Sequence, residues 1–159
     1  MSGRLHRPRA HACSGRQYAA KDVALDTDIQ PGVPTLNVDS ERLAEVLANL
    51  LSNALRHTPP KSTVNVAARC HNDLIEIAVV DTGEGIAHEH LDRIFERFYR
   101  ADAARARASG GTGIGLAIAR AIVEAHGGTV TATSKGPGHG TTLTIQIPIH
   151  KRHAGGEAP

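Results

Sequence analysis

Aromatic residues are scarce in this chain of 159 residues, where they make up 3% of the sequence and tryptophan is absent. Three of the few that exist, Phe95, Phe98 and Tyr99, fall within five residues. We therefore predict that this segment anchors something through packing. Hydrophobic residues at 40% and charged residues at 21% are ordinary globular values, which argues against a largely disordered chain. The length suits one domain.

Cysteine is also rare, and Cys13 and Cys70 lie far apart with no CxxC spacing. This excludes a disulfide framework and a cysteine zinc site, and it favours the reducing cytoplasm. No run of 18 apolar residues exists, and no apolar stretch follows the basic N-terminal residues. We therefore expect neither a membrane span nor a signal peptide.

The net charge is only +2, and much of it comes from Arg4, Arg7, Arg9 and Arg16. Such a basic segment can bind nucleic acid or acidic membrane, but a solvated terminus is the commoner explanation. We therefore predict a disordered tail or linker over residues 1–21, a single domain over 22–149 and a polar tail over 150–159. No nucleic-acid partner is expected.

The order of patterns predicts an α+β fold. A helix begins at Asp39 or Ser40 and ends before Pro59, and a second helix runs from Ile114 until His126, Gly127 and Gly128. The predicted strands are 22–29, 35–39, 63–70, 74–81, 129–134 and 141–149, with short helical turns within 88–98. Strands 63–70 and 74–81, joined by His71, Asn72 and Asp73, suit an antiparallel hairpin. Since strands and helices do not alternate strictly, we expect a mixed, mostly antiparallel sheet with helices on one face.

Polar side chains recur on one face of the first helix. Glu45, Asn49 and Asn53 are four residues apart, and Arg56 and His57 extend the face by a turn. An amide oxygen is a ligand that Mg²⁺ accepts together with phosphate oxygens and water. A solvated helix face is the alternative, and the helix alone does not decide between them.

Asp81 ends a hydrophobic strand and opens the first of two glycine clusters, DTGEGI at 81–86. Its carboxylate can accept a hydrogen bond from the amino group of a base. An ordinary turn with Asp before Gly is the alternative. The second cluster, GGTGIGL at 110–116, is neither a P-loop nor GxGxxG.

Free N–H groups at a helix start favour phosphate, so the second cluster predicts a phosphate site, with a glycine-rich hinge as the alternative. The segment before it, 101–111, is small and charged without a large apolar residue, which is typical of a mobile lid.

Together these motifs resemble the ATP-binding catalytic domain of sensor histidine kinases, within the wider GHKL ATPase superfamily. EVLANLLSNALRHTP is similar to the N box, DTGEGI to the G1 box, IFERFYR to the F box, GGTGIGLAIAR to the G2 box and GHGTTLTI to the last glycine motif. The five motifs stand in the family's order, and the resemblance covers residues 22–149.

The resemblance implies a two-layer α/β sandwich, the Bergerat fold, with Mg²⁺ and ATP held between the N-box helix and a flexible lid. Asn53 would coordinate Mg²⁺ with the support of Asn49. Arg56 would touch phosphate where the family often has lysine, and His57 would lie beside the adenine where it often has tyrosine.

The other motifs supply the rest of the predicted ATP site. Asp81 would hold the adenine amino group, Gly83 and Gly85 would let the base approach, and Thr141 or Thr142 would complete the pocket. Arg97 would reach the γ-phosphate, Gly111, Gly113 and Gly115 would shape the lid, and Phe95 and Phe98 would pack its base. Ile86, Tyr99, Thr112, Ile114 and Leu116 belong to the same motifs and complete the predicted set.

Position 49 separates the subfamilies. Hydrolytic relatives carry glutamate there as the base that activates water, whereas this chain has Asn49; Glu45, one turn further away, is a weaker candidate for a base. An amide takes no proton at neutral pH, so the resemblance implies phosphoryl transfer more than hydrolysis. The alternatives are a non-catalytic ATP-sensing or interaction module and, third, a hydrolase.

No segment carries the acceptor signature of histidine kinases, a His-Glu or His-Asp pair followed by proline; His88 and Glu89 lack the proline. We therefore expect the acceptor histidine on a dimerisation or phosphotransfer domain of a longer kinase or on a separate protein. A response regulator would follow it downstream.

Overall fold

The structure is a computed structural model, and it describes residues 9–31, 40–97 and 114–148. The helices of this described part are α1 (Arg9–Lys21), α2 (Ser40–His57) and α3 (Gly115–Ala125), and a short 3₁₀ helix spans His88–His90. The strands are β1 (Ala24–Ile29), β2 (Thr63–His71), β3 (Leu74–Asp81), β4 (Thr129–Thr133) and β5 (Thr141–Pro148).

The strands form one mixed sheet in the order β1-β2-β3-β5-β4. β1 pairs with β2 in parallel, and the other neighbours pair antiparallel. Asn72 and Asp73, at φ of 47° and 61°, connect β2 to β3. Two central residues with positive φ characterise the tight hairpin turn whose twist matches its strands. The predicted mixed, mostly antiparallel sheet and its hairpin are confirmed.

The helices cover one face of the sheet, as predicted. Every second residue of β3 and β5 is buried, while the residues between them are more exposed. This alternation is expected where a sheet has one face on the core. The core joins these strand residues to the apolar faces of the helices: Ile75, Ile77, Val79, Leu143, Ile145 and Ile147 meet Val46, Leu50, Ala54, Ala119 and Val123.

Helix α2 has the predicted limits, and its end has a clear cause. The hydroxyl of Thr58 donates a hydrogen bond to the carbonyl of Ala54 (2.7 Å), which satisfies one carbonyl of the last turn. Pro59 and Pro60 follow at once and prevent continuation. Asn53, Arg56 and His57 therefore lie in the last turns of α2, and the carbonyl of His57 accepts a hydrogen bond from the N–H of Glu84, just after the end of β3.

The prediction of a disordered tail over residues 1–21 is wrong for residues 9–21, which form α1. Tyr18 is buried, and its hydroxyl donates a hydrogen bond to the carbonyl of Leu51 (2.7 Å). The Nζ of Lys21 donates to the carbonyl of Leu55 (2.6 Å). Neither contact requires an apolar periodicity in the sequence, which is why the segment was predicted as a tail.

Some predictions fall outside the described residues: the strand at 35–39, the lid at 101–111 and the tail at 150–159. Within the described part, no helix combines the length and apolar character needed to cross a membrane.

Candidate nucleotide site

Asp81 is the centre of the candidate site. It ends β3 with its side chain buried at 4% exposure, and its Oδ1 accepts hydrogen bonds from the N–H groups of Gly83 (3.0 Å) and Thr141 (3.2 Å). Its Oδ2 has no hydrogen-bond partner in the described part of the chain. One oxygen therefore fixes the carboxylate, and the other remains available to a donor.

Burial raises the pKa of Asp81 above its usual range, because the charged form loses its hydration. The two backbone N–H groups and the nearby His57 oppose this increase, and Glu84 adds to it. Burial and the charge of Asp81 also raise the pKa of Tyr18 beyond its usual range. The anchor of α1 and the carboxylate thus lie within electrostatic reach of each other.

The first glycine cluster packs against the end of α2. A Cβ added to Gly83 would lie 2.0 Å from the carbonyl oxygen of His57, which also accepts a hydrogen bond from the N–H of Glu84 (3.0 Å). This is a second reason for glycine, beside the predicted approach of a base. The missing side chain makes room for the chain's own backbone, and only Gly fits there without a shift.

Gly85 also packs closely against a backbone carbonyl, which here belongs to the β4–β5 turn. Its φ is 71°, and an added Cβ would lie 2.2 Å from the carbonyl oxygen of Gly136 in the β4–β5 turn. Gly138 and Gly140 of that turn donate N–H hydrogen bonds to the carbonyls of Glu84 (2.6 Å) and Gly83 (3.2 Å). The first glycine cluster is therefore held between α2 and the β4–β5 turn.

Ser134 is a residue of this region that the sequence reasoning missed. Its Oγ accepts the N–H of Ile86 (3.1 Å) and of Gly136 (3.2 Å), and it donates to the carbonyl of Gly140 (2.7 Å). A serine before a glycine-rich turn is too common to be a signal. Its partners come from two separated segments, and only the fold brings them together.

The polar face of α2 meets the start of α3. A Cβ built on Gly115 would lie 3.5 Å from the Oδ1 of Asn49, so the first turn of α3 lies beside this amide. Asn53, one turn further, is half-buried. Neither amide has a hydrogen-bond partner among the described residues. The same residues contain no cluster of three His, Cys, Asp or Glu suited to a metal.

His57 and Arg56 complete the end of α2. The Nδ1 of His57 lies 3.6 Å from the Oε2 of Glu84, and both side chains are about half exposed. Arg56 is half-buried, and its carbonyl accepts a hydrogen bond from the Nζ of Lys21 (3.4 Å). The predicted residues His57, Asp81 and Gly83 are therefore brought together, with Arg56 on the adjoining position.

The sheet register decides between the two threonines that the sequence left open. Thr141 pairs with Asp81 and is buried beside it, whereas Thr142 pairs with Val80 on the more exposed face of the sheet. Thr141 therefore lies beside Asp81, and Thr142 does not. Ile114 and Leu116, also predicted, are half-buried at the start of α3.

The phenylalanine segment is described only in part. Phe95 is buried in the core, whereas Arg97 is exposed and forms no hydrogen bond or ion pair within the described residues. The remaining predicted positions lie outside the described residues: Phe98, Tyr99, Gly111, Thr112 and Gly113.

Comparison with curated proteins finds sensor kinases. The chain is 45% identical over 99 residues to the sensor-like histidine kinase SenX3 of Mycobacterium tuberculosis, which covers 61% of this chain and 24% of that protein. It is 39% identical over 85 residues to the adaptive-response sensory kinase SasA of Synechococcus elongatus, covering 53% of this chain and 22% of that one. The chain thus spans about a quarter of these relatives.

Solved structures share the fold. The catalytic domain of histidine kinase ThkA superposes with a TM-score of 0.76 at 22% identity and 88% coverage of both chains. The mycobacterial sensor histidine kinase MprB gives 0.74 at 28% identity, covering 87% of this chain and 91% of that one. Full-length ShkA in complex with AMPPNP gives 0.79 at 26% identity, covering 92% of this chain and 30% of that one.

A family model described as histidine kinase-, DNA gyrase B-, and HSP90-like ATPase matches residues 38–151, which is most of the chain. The match contains α2, both glycine clusters and the β4–β5 turn. The chain therefore belongs to this ATPase family.

Proposed function

We propose that this chain binds Mg-ATP and acts as the catalytic domain of a histidine kinase, transferring the γ-phosphoryl group to a histidine outside the chain. The observation that carries the proposal is the buried carboxylate of Asp81, fixed through Oδ1 and open at Oδ2. The similar protein ShkA was solved with AMPPNP, which supports an adenine nucleotide as the ligand.

The open oxygen of Asp81 suits adenine. An ionised carboxylate only accepts hydrogen bonds, and adenine presents an amino group where guanine presents a carbonyl oxygen. The amino group of adenine would donate a hydrogen bond to Oδ2. The carbonyl oxygen of guanine is itself an acceptor, so it would repel the buried carboxylate. Asp81 therefore selects the base, with Thr141 beside it and His57 at the rim.

The amides of Asn49 and Asn53 fit a magnesium site completed by phosphate. Their oxygens are hard ligands, that of Asn49 lies beside the start of α3, and neither amide has a hydrogen-bond partner among the described residues. A bound Mg²⁺ would neutralise phosphate charge during transfer. Arg56 on the same helix would contact phosphate, and Arg97 would approach the γ-phosphate. Ile86, Ile114, Gly115 and Leu116 would line the site between the base and the phosphates.

Asn49 makes transfer the better-supported reaction. It occupies the position from which a base would activate water, and an amide takes up no proton at neutral pH. The chain's own residues would orient the γ-phosphoryl and stabilise its charge. The accepting imidazole would come from a dimerisation or phosphotransfer domain, and a response regulator would take the phosphoryl group next.

The replacement Asn53→Ala tests the metal-binding part. Calorimetric titration with ATP should show magnesium-dependent binding to the wild type and none to the variant, while thermal unfolding stays close to that of the wild type. Ser52→Ala is the matched control, because this exposed neighbour has no side-chain hydrogen bond in the described residues. Unchanged ATP affinity in Asn53→Ala would refute the role of Asn53.

The reaction itself is tested with γ-labelled ATP and a candidate histidine-containing partner. Acid-labile label on the partner supports a kinase. Phosphate release by the chain alone would show a hydrolase. ATP binding without either product, across the candidate partners, would favour a nucleotide-sensing module.

A further inference from the structure

Ser134 uses the whole hydrogen-bonding capacity of its hydroxyl on backbone groups beside the candidate site. A serine hydroxyl has one donor and two acceptor positions. Here the acceptor positions take the N–H groups of Ile86 (3.1 Å) and Gly136 (3.2 Å), and the donor's shortest bond goes to the carbonyl of Gly140 (2.7 Å). Ile86 is the last residue of the first glycine cluster, and Gly136 and Gly140 belong to the β4–β5 turn.

One of these bonds leads directly to Asp81. The carbonyl of Gly140 and the N–H of Thr141 belong to the same peptide group, which is planar and rigid. Ser134 holds the carbonyl end of this peptide, and the Oδ1 of Asp81 accepts the N–H at the other end (3.2 Å). The orientation of the Asp81 carboxylate is therefore coupled to the Ser134 hydroxyl through a single peptide plane.

Other bonds keep the turn in place without this hydroxyl. The N–H groups of Gly138 and Gly140 donate to the carbonyls of Glu84 and Gly83, and neither bond involves Ser134. Loss of the hydroxyl should therefore leave the turn attached to the first glycine cluster. It should free the Gly140–Thr141 peptide to rotate, which would loosen one of the two backbone bonds that orient Asp81.

We propose that Ser134 is a positioning residue for base recognition, which acts on Asp81 through the Gly140–Thr141 peptide and never touches the nucleotide. The inference rests on the proposed function, since it assumes that Asp81 selects adenine. It predicts that Ser134 affects the discrimination between bases, which a purely structural residue would not do.

The test compares Ser134→Ala, Ser134→Thr and Thr133→Ala. Threonine keeps the hydroxyl, and Thr133 is an exposed neighbour without a side-chain hydrogen bond in the described residues. Each protein is titrated with ADP and with inosine diphosphate, whose base has a carbonyl in place of the 6-amino group. Ser134→Ala should bind ADP about tenfold more weakly, as expected for a loss of about 1.4 kcal/mol.

In Ser134→Ala, the affinity for inosine diphosphate should fall much less than the affinity for ADP, so that the preference for ADP decreases. Ser134→Thr should restore both affinities, and Thr133→Ala should match the wild type. An unchanged preference for ADP in Ser134→Ala overturns the inference, whether both affinities stay the same or both fall equally. A wild type that binds no ADP overturns the proposed function as well.

Amide hydrogen exchange in the nucleotide-free protein tests the coupling without any ligand. In Ser134→Ala, the amides of Ile86 and Gly136 should exchange faster because they lose their acceptor. The Thr141 amide, which Ser134 does not contact, should also exchange faster because its peptide is no longer held. Wild-type protection of Thr141 in this variant contradicts the coupling.

Discussion

Two regions hold the last turns of α2, and they do so by opposite means. On one side, the first glycine cluster brings backbone against backbone, with Gly83 and the N–H of Glu84 against the carbonyl of His57. On the other side, α1 uses long side chains, since Tyr18 and Lys21 donate hydrogen bonds to the carbonyls of Leu51 and Leu55.

The difference explains why one region is a motif and the other is not. Close backbone contact tolerates only glycine, so the glycine cluster is conspicuous in the sequence. A hydrogen bond from a flexible side chain sets no such demand on its neighbours, so α1 has no recognisable pattern. Both regions nevertheless position the same helix end, which carries Asn53, Arg56 and His57.

The largest effect is expected from Gly83→Ala. The added Cβ would lie 2.0 Å from the His57 carbonyl oxygen, a backbone atom that cannot rotate away. Relief of this overlap must separate the cluster from α2, which should cost about 3 kcal/mol of the free energy of unfolding. Urea denaturation measures the loss. A variant of wild-type stability would show that the contact at Gly83 is not tight.

A smaller loss is expected from Lys21→Met, which keeps the length of the side chain but removes its charge. The carbonyls of Leu55 and Arg56 then lose a charged donor at the C-terminal end of a helix, where a cation is favourable. We expect a loss of about 1.5 kcal/mol in urea denaturation.

Lys135→Met is the control for that variant. Lys135 is exposed in the β4–β5 turn, so its replacement should leave the free energy of unfolding almost unchanged. Equal stabilities of the two variants would mean that Lys21 does not hold α2.

A gain of about 0.5 to 1 kcal/mol is expected from Gly15→Ala, since alanine is the better helix former. Gly15 lies inside α1, and an added Cβ would meet nothing within 4 Å. The same substitution should therefore act in opposite directions in the two regions. Thermal unfolding checks the sign, and a destabilised Gly15→Ala variant would contradict the helical assignment of this segment.

The smallest effect is expected in the pH dependence of stability, compared between the wild type and Asp81→Asn. Because burial raises the folded-state pKa of Asp81, the folded protein binds this proton more tightly than the unfolded chain does. The stability contributed by Asp81 is therefore present below its ordinary pKa and is lost as pH rises through the raised value.

Asparagine has no such titration, so the variant should gain stability relative to the wild type between pH 3.5 and pH 7. Urea denaturation at the two pH values measures the difference. A gain that is the same at both pH values, or a relative loss at pH 7, would contradict a raised pKa.

Much of the fold was predictable because its signals are local. The spacing of Val46, Leu50 and Ala54 predicts α2, and Pro59 marks its end. The alternation in β2 and β3 predicts the hairpin, whose turn residues have the positive φ that such turns need. Each of these features depends on residues that lie close together in the sequence.

The sequence predicted which residues form the candidate site better than it predicted why each of them is needed there. Asp81 and Thr141 meet as the motifs imply, whereas Thr142 pairs with Val80. The resemblance implies that Gly83 and Gly85 let a base approach, and the structure adds that they make room for the carbonyls of His57 and Gly136. A glycine in a sequence shows that something comes close, and only the structure shows what.

Local patterns in the amino-acid sequence were enough to identify α2, α3 and the five strands and to place the motifs in order, because periodicity and turn chemistry act over short distances. The tertiary structure alone decided that residues 9–21 form a helix and that Ser134 is bonded to Ile86. The bonds responsible join residues 33, 34 and 48 positions apart. A hydrogen bond over such a separation depends on how the intervening chain folds, and the identities of its two residues do not reveal it.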